Sequence, residues 1–153
     1  LSEWTMWLGS WGEQLPDFDN QVRLSKDKKD KWGLPLVDID CEFKENEWAM
    51  RKDMMNSGAE MLESAGLKDI YTYDDAKSYP GLCIHEMGTA RMGKDPKTSV
   101  LNKWNQMHEV KNVFITDGAC MTSSACQNPS ITYMALTARA ADYAVKEVNK
   151  GNL

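Results

Sequence analysis

The last forty residues of the chain have a strand, a loop and a helix in succession, and this ending constrains the fold more than any other feature. Val110 to Thr116 is a short β-branched run, and Ser130 to Val148 has the alanine-rich composition of a long helix. A strand, a loop and a helix in this order are typical of an α/β unit. We therefore expect residues 113–153 to complete a sheet that belongs to a neighbouring domain.

Two predicted strands precede this ending. Residues 20–25 alternate apolar with polar side chains, and residues 34–43 place Val37 and Ile39 on one face, opposite acidic side chains. The intervening run, residues 26–33, is highly charged and ends at a glycine, as turns do. The sequence therefore predicts two antiparallel strands joined by a charged turn.

A helix is the next predicted element. Residues 45–65 carry recurring apolar positions, and Gly66 follows as a C-cap. Residues 68–80 are expected to form a strand or an extended loop. The predicted fold class is therefore α+β, with an antiparallel sheet and flanking helices in a first unit of residues 1–112, followed by the strand, loop and helix of residues 113–153.

Composition limits the function classes. The 153 residues include 42% hydrophobic side chains, enough for one core, and the net charge is −5 without a long basic run. Nucleic-acid binding is therefore not expected. No stretch approaches the roughly 18 apolar residues of a membrane span. Because the chain begins at Leu1 and not at a methionine, we expect it to be cut from a longer protein or processed, which leaves its localisation open.

Three tryptophans near the N-terminus form a pattern of their own. Trp4, Trp7 and Trp11 recur at spacings of three and four, as along one face of a short helix or in an aromatic loop. Packing in a core or an interface is the simpler interpretation. A platform for a carbohydrate or a protein partner is the alternative.

The cysteines show no CxxC spacing, which disfavours a disulfide or zinc framework. We expect them to be reduced and partly buried thiols. They are Cys41, Cys83, Cys120 and Cys126.

The first motif with chemical content is the stretch from Cys83 to Gly93. It contains a histidine, a carboxylate, a hydroxyl and an arginine between close glycines. His85 and Glu86 do not begin the HExxH motif of zinc proteases, because Thr89 stands where the second histidine belongs. With His108 as the only other histidine, we expect no metal site. On its own, His85 could equally be a structural histidine.

The second motif runs from Thr116 to Thr132. Its Asn-Pro-Ser sequence precedes the predicted helix, so Asn128 or Ser130 could cap that helix without any further function. The N–H groups of such a helix start also favour an electron-rich ligand. Asp117, at the end of the predicted strand, could accept hydrogen bonds from hydroxyl groups. Neither motif alone decides between structure and function.

In order and content, the two motifs together resemble the C-terminal region of the glucose–methanol–choline (GMC) oxidoreductases. His85 to Gly93 matches the family's His-x-x-Gly-Thr-x-x-Met-Gly stretch, and Asp117-Gly118-Ala119 matches the turn after the next strand. An Asn-Pro loop then leads into the last helix. The resemblance is strong over residues 80–148 and weaker over residues 20–65, and residues 121–130 look most like the branch that oxidises sugars.

This resemblance implies an FAD-dependent enzyme in which His85 accepts a proton and Asn128 is its partner. Oxidation of an alcohol removes the hydroxyl proton while the carbon gives a hydride to the flavin, and imidazole suits the first task. Asn128 does not titrate, so it can donate a hydrogen bond to the substrate oxygen without competing for the proton. By the same likeness, five residues lie along the cofactor. They are Asp117 and Gly118 along FAD, and Pro129, Ser130 and Thr132 near the isoalloxazine ring.

The sequence has no GxGxxG motif, so the resemblance implies a separate FAD-binding domain upstream, which residues 113–153 would complete. The chain alone is then expected to bind no FAD, to be inactive, and to expose an apolar surface that could drive oligomer contacts. The expected substrate is a sugar or another alcohol. Oxidase and dehydrogenase activity are not separated. The alternative function is a non-catalytic binding module built on the tryptophans. A metal hydrolase that uses His85 and Glu86 is not expected, because the sequence offers too few metal ligands.

Overall fold

The structure is a computed structural model that describes residues 4–74, 79–82 and 84–153. Its helices and strands give an α+β fold, as predicted. The elements, in chain order, are strand β1 (Gln21–Lys29), strand β2 (Pro35–Asp40), helix α1 (Glu45–Ser64), a short 3-10 helix (Gly118–Cys120) and helix α2 (Ser130–Asn149). No helix among the described residues is long and apolar enough to cross a membrane. The predicted domain boundary between residues 112 and 113 stays a prediction.

Strands β1 and β2 form the predicted antiparallel pair, with Leu24 opposite Val37 in the register. The turn is shorter than expected, because β1 continues through residues 26–29. At its far end, β2 stops at Asp40, three residues earlier than expected. Asp30 explains the late turn: its carboxylate accepts hydrogen bonds from the backbone of Trp32 (2.8 Å) and Leu34 (2.9 Å). This cap places the turn after residue 30. The strand pairing shifts register beyond Leu24 and ends at Lys29, opposite Pro35.

Helix α1 begins after Lys44 and is fixed there by Glu47, a buried residue of its first turn. The Glu47 carboxylate accepts hydrogen bonds from the backbone N–H of Leu15 (3.0 Å) and of Lys44 (2.9 Å). The bond from Leu15 is the main cause that lowers the pKa of Glu47. At the other end, Gly66 has the left-handed φ of 84° that the predicted C-terminal cap requires.

Residues 4–16 form an extended strap along α1. Leu8 contacts the helix at Gly58, because a Cβ on that glycine would lie 3.2 Å from its Cδ2 atom. Gly12 lies against Met50, whose sulfur would be 2.6 Å from an added Cβ, and Leu15 reaches Glu47. The strap therefore runs antiparallel to the helix and reaches its first turn.

The three tryptophans of the strap do not form a helix and do not pack in a core. Trp4, Trp7 and Trp11 are 101%, 81% and 62% exposed, so the expectation of core packing is wrong. The contacts of the strap with α1 are made by Leu8 and Gly12 and not by the tryptophans. An interface or platform role for the tryptophans stays a prediction.

The core lies in the C-terminal part of the chain and consists mostly of loop residues. Ala90, Leu101 and Cys120 are buried together, and burial raises the pKa of the Cys120 thiol. Of the other cysteines, Cys41 and Cys126 are free and exposed, not partly buried as expected, and Cys83 lies outside the described residues. Six partly buried side chains complete the core: Met92, Met107, Ile115, Ala119, Met121 and Leu136.

The strand predicted over residues 110–116 is wrong. Only Phe114 pairs, in an isolated antiparallel bridge with Gln106. The chain reverses between these two residues, and the Gln106 side chain holds the reversal by donating to the carbonyl of Lys111 (2.7 Å). Pairing therefore stops after one bridge. Residues 68–74 and 79–80 likewise contain no strand, and residues 75–78 lie outside the described residues.

Helix α2 matches its prediction over residues 130–148 and has two apolar faces. On the face toward the core, Tyr143 stacks on Trp104 with ring centroids 4.9 Å apart, and Leu136 packs on the buried cluster. The other face leaves large apolar side chains exposed. They are Ile131, Met134, Val145 and Val148. The expected apolar surface is present, and its role in oligomer contacts stays a prediction.

Candidate active site

The two motif segments lie side by side and are joined through the backbone. The N–H of Ala90 donates to the carbonyl of Ala119, and the N–H of Met92 donates to the carbonyl of Cys120, both at 2.9 Å. The stretch that begins at His85 therefore runs along the 3-10 helix that follows Asp117. These bonds fix the relative position of two segments that are distant in sequence.

Gly118 is the point of closest approach between the segments. A Cβ at this position would lie 2.9 Å from the carbonyl oxygen of Glu86, 2.9 Å from the hydroxyl of Tyr133 and 3.1 Å from the sulfur of Met87. The first of these atoms is backbone and cannot move aside easily. Gly118, predicted as a cofactor contact, thus has a packing reason to be glycine.

Tyr133 connects helix α2 to the histidine motif. Its hydroxyl donates a hydrogen bond to the Met87 sulfur at 3.6 Å, and desolvation by burial raises the pKa of this phenol. We call Met87, Gly118 and Tyr133 the clasp. Sequence reasoning missed the clasp, although Tyr133 is a polar-tipped aromatic residue in the first turn of a helix that follows a motif.

His85 is partly buried and lies two residues before Met87 of the clasp. The preceding residue, Ile84, has a φ of 67°, in the left-handed region. A β-branched side chain rarely adopts this conformation, which costs on the order of 1–3 kcal/mol. The backbone is therefore strained at Ile84, the residue directly before His85.

Asn128 lies exposed, five residues before Tyr133 of the clasp. The prediction that Asn128 or Ser130 caps helix α2 is wrong. The N-cap residue is Pro129, which is buried, and no side chain caps the helix. Because Pro129 occupies the capping position, the Asn128 amide is not used for the helix, and within the described ranges it makes no hydrogen bond.

The remaining predicted site residues lie at the two helix starts. Asp117 caps the 3-10 helix, and its carboxylate accepts from the N–H of Ala119 at 2.9 Å. This local bond occupies one of the two carboxylate oxygens that were expected to accept hydrogen bonds from hydroxyl groups. Ser130 and Thr132 are exposed in the first turn of α2. Both therefore lie beside backbone N–H groups that no side chain caps.

The clasp joins the segments on which His85 and Asn128 lie. Met87 follows His85 on one side, and Tyr133 follows Asn128 on the other. The imidazole, the amide and the uncapped helix start offer a proton acceptor, a neutral hydrogen-bond donor and a favourable environment for negative charge. In the part of the chain that the structure describes, no three His, Cys, Asp or Glu side chains come together as a metal site.

Comparison with known proteins gives one family. The profile of the GMC oxidoreductases, taken from their C-terminal region, matches residues 16–137. The 2-methyl-1,2-propanediol dehydrogenase of Mycolicibacterium austroafricanum is 39% identical over 87% of this chain and 24% of its own length. The fructose dehydrogenase large subunit of Gluconobacter japonicus is 32% identical over 91% of this chain and 25% of its own length.

An oxidase is among the similar proteins as well. The paromamine 6'-oxidase of Streptomyces fradiae is 34% identical over 82% of this chain and 23% of its own length. The chain thus spans about a quarter of the length of the curated relatives that it matches.

Proposed function

Because the chain belongs to the GMC oxidoreductase family, we propose that it is the substrate-side part of an FAD-dependent enzyme that oxidises CH–OH groups of a sugar or another alcohol. The relatives named above are dehydrogenases and an oxidase, and their names specify 2-methyl-1,2-propanediol, fructose and paromamine. The observation that carries the proposal is the clasp, which ties the segment of His85 to the helix start that follows Asn128.

The described residues fit a flavin in one respect. The first turn of α2 has no side-chain cap, and Ser130 and Thr132 lie exposed on it. Uncapped N–H groups and the helix dipole stabilise electron-rich groups, and a bound flavin ring would supply such groups. Pro129 is buried at the N-cap position, and one Asp117 oxygen already accepts a hydrogen bond within the 3-10 helix. GMC proteins are flavoproteins, and FAD supplies the hydride acceptor when bound.

In the proposed reaction, the imidazole of His85 accepts the proton of the substrate hydroxyl as the C–H bond gives up its hydride. The Asn128 amide donates a hydrogen bond to the substrate oxygen as it becomes a carbonyl. Two electrons and one proton leave the carbon as hydride, and the second proton resides on His85. The clasp ties together the two segments that carry these groups, so its proposed contribution is orientation and not chemistry.

The test is anaerobic flavin reduction in the intact protein. We expect His85→Ala to slow reduction about 100-fold to 10,000-fold while FAD stays bound, because general base catalysis is lost. Added imidazole should restore part of the rate. Unchanged reduction in this variant would refute the role of His85.

A matched pair tests the amide. Asn128→Ala should slow reduction about 10-fold to 1,000-fold by removing a donor to the developing charge. Gln127→Ala is the control, because Gln127 is an exposed amide at the neighbouring position. Equal effects of the two substitutions would show that Asn128 has no special place in the reaction.

Exposure of the strap tryptophans favours a second candidate function, a binding module for carbohydrates or partners. The rings of Trp7 and Trp11 both approach Gly9, with ring atoms 2.6 Å and 3.2 Å from an added Cβ. Two exposed rings at one glycine form an aromatic surface of the kind that sugars stack on. Loss of oligosaccharide binding in Trp7→Ala, with normal flavin reduction, would establish this function separately.

A further inference from the structure

A surface cavity of about 490 Å³ lies next to the end of the histidine motif, and neither motif accounts for it. Four basic side chains line it together with Met92, Gly93 and Asn102: Lys94, Lys103, His108 and Arg139. None of its lining residues is acidic. Such a concentration of basic groups is unexpected in a protein with a net charge of −5.

The described residues do not neutralise the charges of this cavity. Among residues 4–74, 79–82 and 84–153, the ion pairs involve other side chains, and Lys94, Lys103 and Arg139 pair with no carboxylate. Like charges that share a cavity repel one another unless an anion lies between them. The arrangement therefore favours a bound anion.

Arg139 is held in place by contacts that leave most of its guanidinium donors for a ligand. One terminal nitrogen donates to the buried Asn105 amide oxygen at 3.2 Å and lies 3.7 Å from the Met92 sulfur. The guanidinium also lies over the Trp104 ring at 5.9 Å, and the Lys103 ammonium lies 5.0 Å from the same ring. The described contacts orient one cation firmly and keep a second beside it.

The hydrogen bonds around His108 determine which of its ring nitrogens carries a hydrogen. The Ser99 hydroxyl donates to the carbonyl of Asp95 at 2.7 Å, so it can only accept from the imidazole Nε2, which lies 3.1 Å away. Nε2 therefore carries a hydrogen, and Nδ1 remains for another partner. The ring is oriented by a chain of two hydrogen bonds.

We propose that this cavity binds a phosphate-type oxyanion, either a phosphate monoester or inorganic phosphate. Two ammonium groups and a guanidinium offer more positive charge and more donors than a single carboxylate can use. A doubly charged oxyanion with several acceptor oxygens matches this set. The proposal is independent of the oxidation proposed above.

Titration calorimetry of the intact protein at low ionic strength tests the proposal. Inorganic phosphate should bind at one site, and Lys94→Ala and Lys103→Ala should each weaken binding about threefold to tenfold. Lys97→Ala is the control, because Lys97 lies on the same loop and does not line the cavity. Arg139 is left unchanged, since its contacts with Asn105 and Trp104 also support the core.

Three probes separate the sources of the ligand. Tighter binding of phenyl phosphate than of inorganic phosphate would identify an organic monoester, and the reverse order would identify free phosphate. Acetate should bind at least tenfold more weakly than both. The proposal is overturned if acetate binds as well as phosphate, if phosphate does not bind, or if Lys97→Ala weakens binding as much as Lys103→Ala.

Normal flavin reduction in the lysine variants would show that they are folded. Lys103→Arg provides a further check on the role of charge, because it keeps the cation and should retain phosphate binding within about threefold. Loss of flavin reduction in His85→Ala, with phosphate binding intact, would show that the anion site does not depend on the proposed active site.

Discussion

The hairpin and the C-terminal core differ in what holds them together. Strands β1 and β2 pair along the backbone, with one register shift between Leu24 and Lys29, yet Leu24, Val37 and Ile39 are exposed on them. The C-terminal core has only isolated bridges, yet Leu101 and Asn105 are fully buried there. Backbone pairing and burial are therefore separate sources of order in this chain. The candidate active site depends on burial.

The largest expected difference between the two regions is in the cost of removing an apolar side chain. Leu101→Ala should lower the free energy of unfolding by about 2–5 kcal/mol, because it empties a fully buried position. Ile39→Ala should cost less than about 1 kcal/mol, because Ile39 is largely exposed. Urea unfolding of the intact protein measures both. Equal losses would mean that the hairpin is covered in the intact protein.

A smaller effect is expected at the clasp. Gly118→Ala places a Cβ 2.9 Å from the Glu86 carbonyl, so we expect a loss of about 1–3 kcal/mol and a slower flavin reduction. The same substitution combined with Tyr133→Phe and Met87→Ala removes two of the three crowded atoms. This variant should recover only part of the rate, since the carbonyl remains. Full activity of Gly118→Ala alone would exclude a tight approach at this point.

In the N-terminal region, the Glu47 carboxylate is expected to make the free energy of unfolding depend on pH. Its lowered pKa means that the folded state prefers the ionised carboxylate. The resulting stabilisation is complete above the ordinary pKa, about 4.3, and is lost as the pH falls through the lower pKa of the folded state. Glu47→Gln should cost about 1–2 kcal/mol at pH 7, because an amide oxygen cannot accept both backbone bonds.

Urea unfolding at pH 7 and at pH 3.5 separates the charge from the packing. The difference in stability between these two pH values should be smaller in Glu47→Gln than in the unchanged protein. Glu45→Gln, at an exposed position of the same helix turn, is the control. If both variants showed the same pH difference as the unchanged protein, the strap would not depend on the Glu47 carboxylate.

The smallest expected loss of stability comes from removing one hydroxyl group of the clasp. Tyr133→Phe removes the hydrogen bond to Met87, and sulfur is a weak acceptor, so we expect a loss of about 0.5–1.5 kcal/mol. Tyr143→Phe is the matched control on the same face of α2, where the ring stacks on Trp104. A greater loss of flavin reduction in Tyr133→Phe than in Tyr143→Phe would indicate that the clasp positions the site.

Local patterns predicted the elements that local forces determine. The alternation in residues 34–43 and the apolar spacing in residues 45–65 led to the hairpin and to α1, and Gly66 marked the end of that helix. The bounds of the hairpin were wrong where one side chain decides them, since Asp30 delays the turn. The strand over residues 110–116 was wrong because its composition does not reveal where the chain reverses.

The candidate site was predictable only in part. His85 and Asn128 were found through motifs, and their roles stay proposals. The clasp was missed because it depends on contacts among three segments, and no local pattern shows that Gly118 meets the Glu86 carbonyl. The capping of α2 was misassigned because Asn128 and Ser130 both suit a cap, whereas the structure places Pro129 there.

Because Ile84 has a left-handed backbone conformation, a substitution at this position would change the mobility of His85. Glycine adopts the same angle without penalty, so Ile84→Gly would relieve the strain in the folded loop but leave the chain free to adopt other conformations. The imidazole of His85 would then sample more orientations, so the backbone of residue 84 sets how firmly this side chain is held.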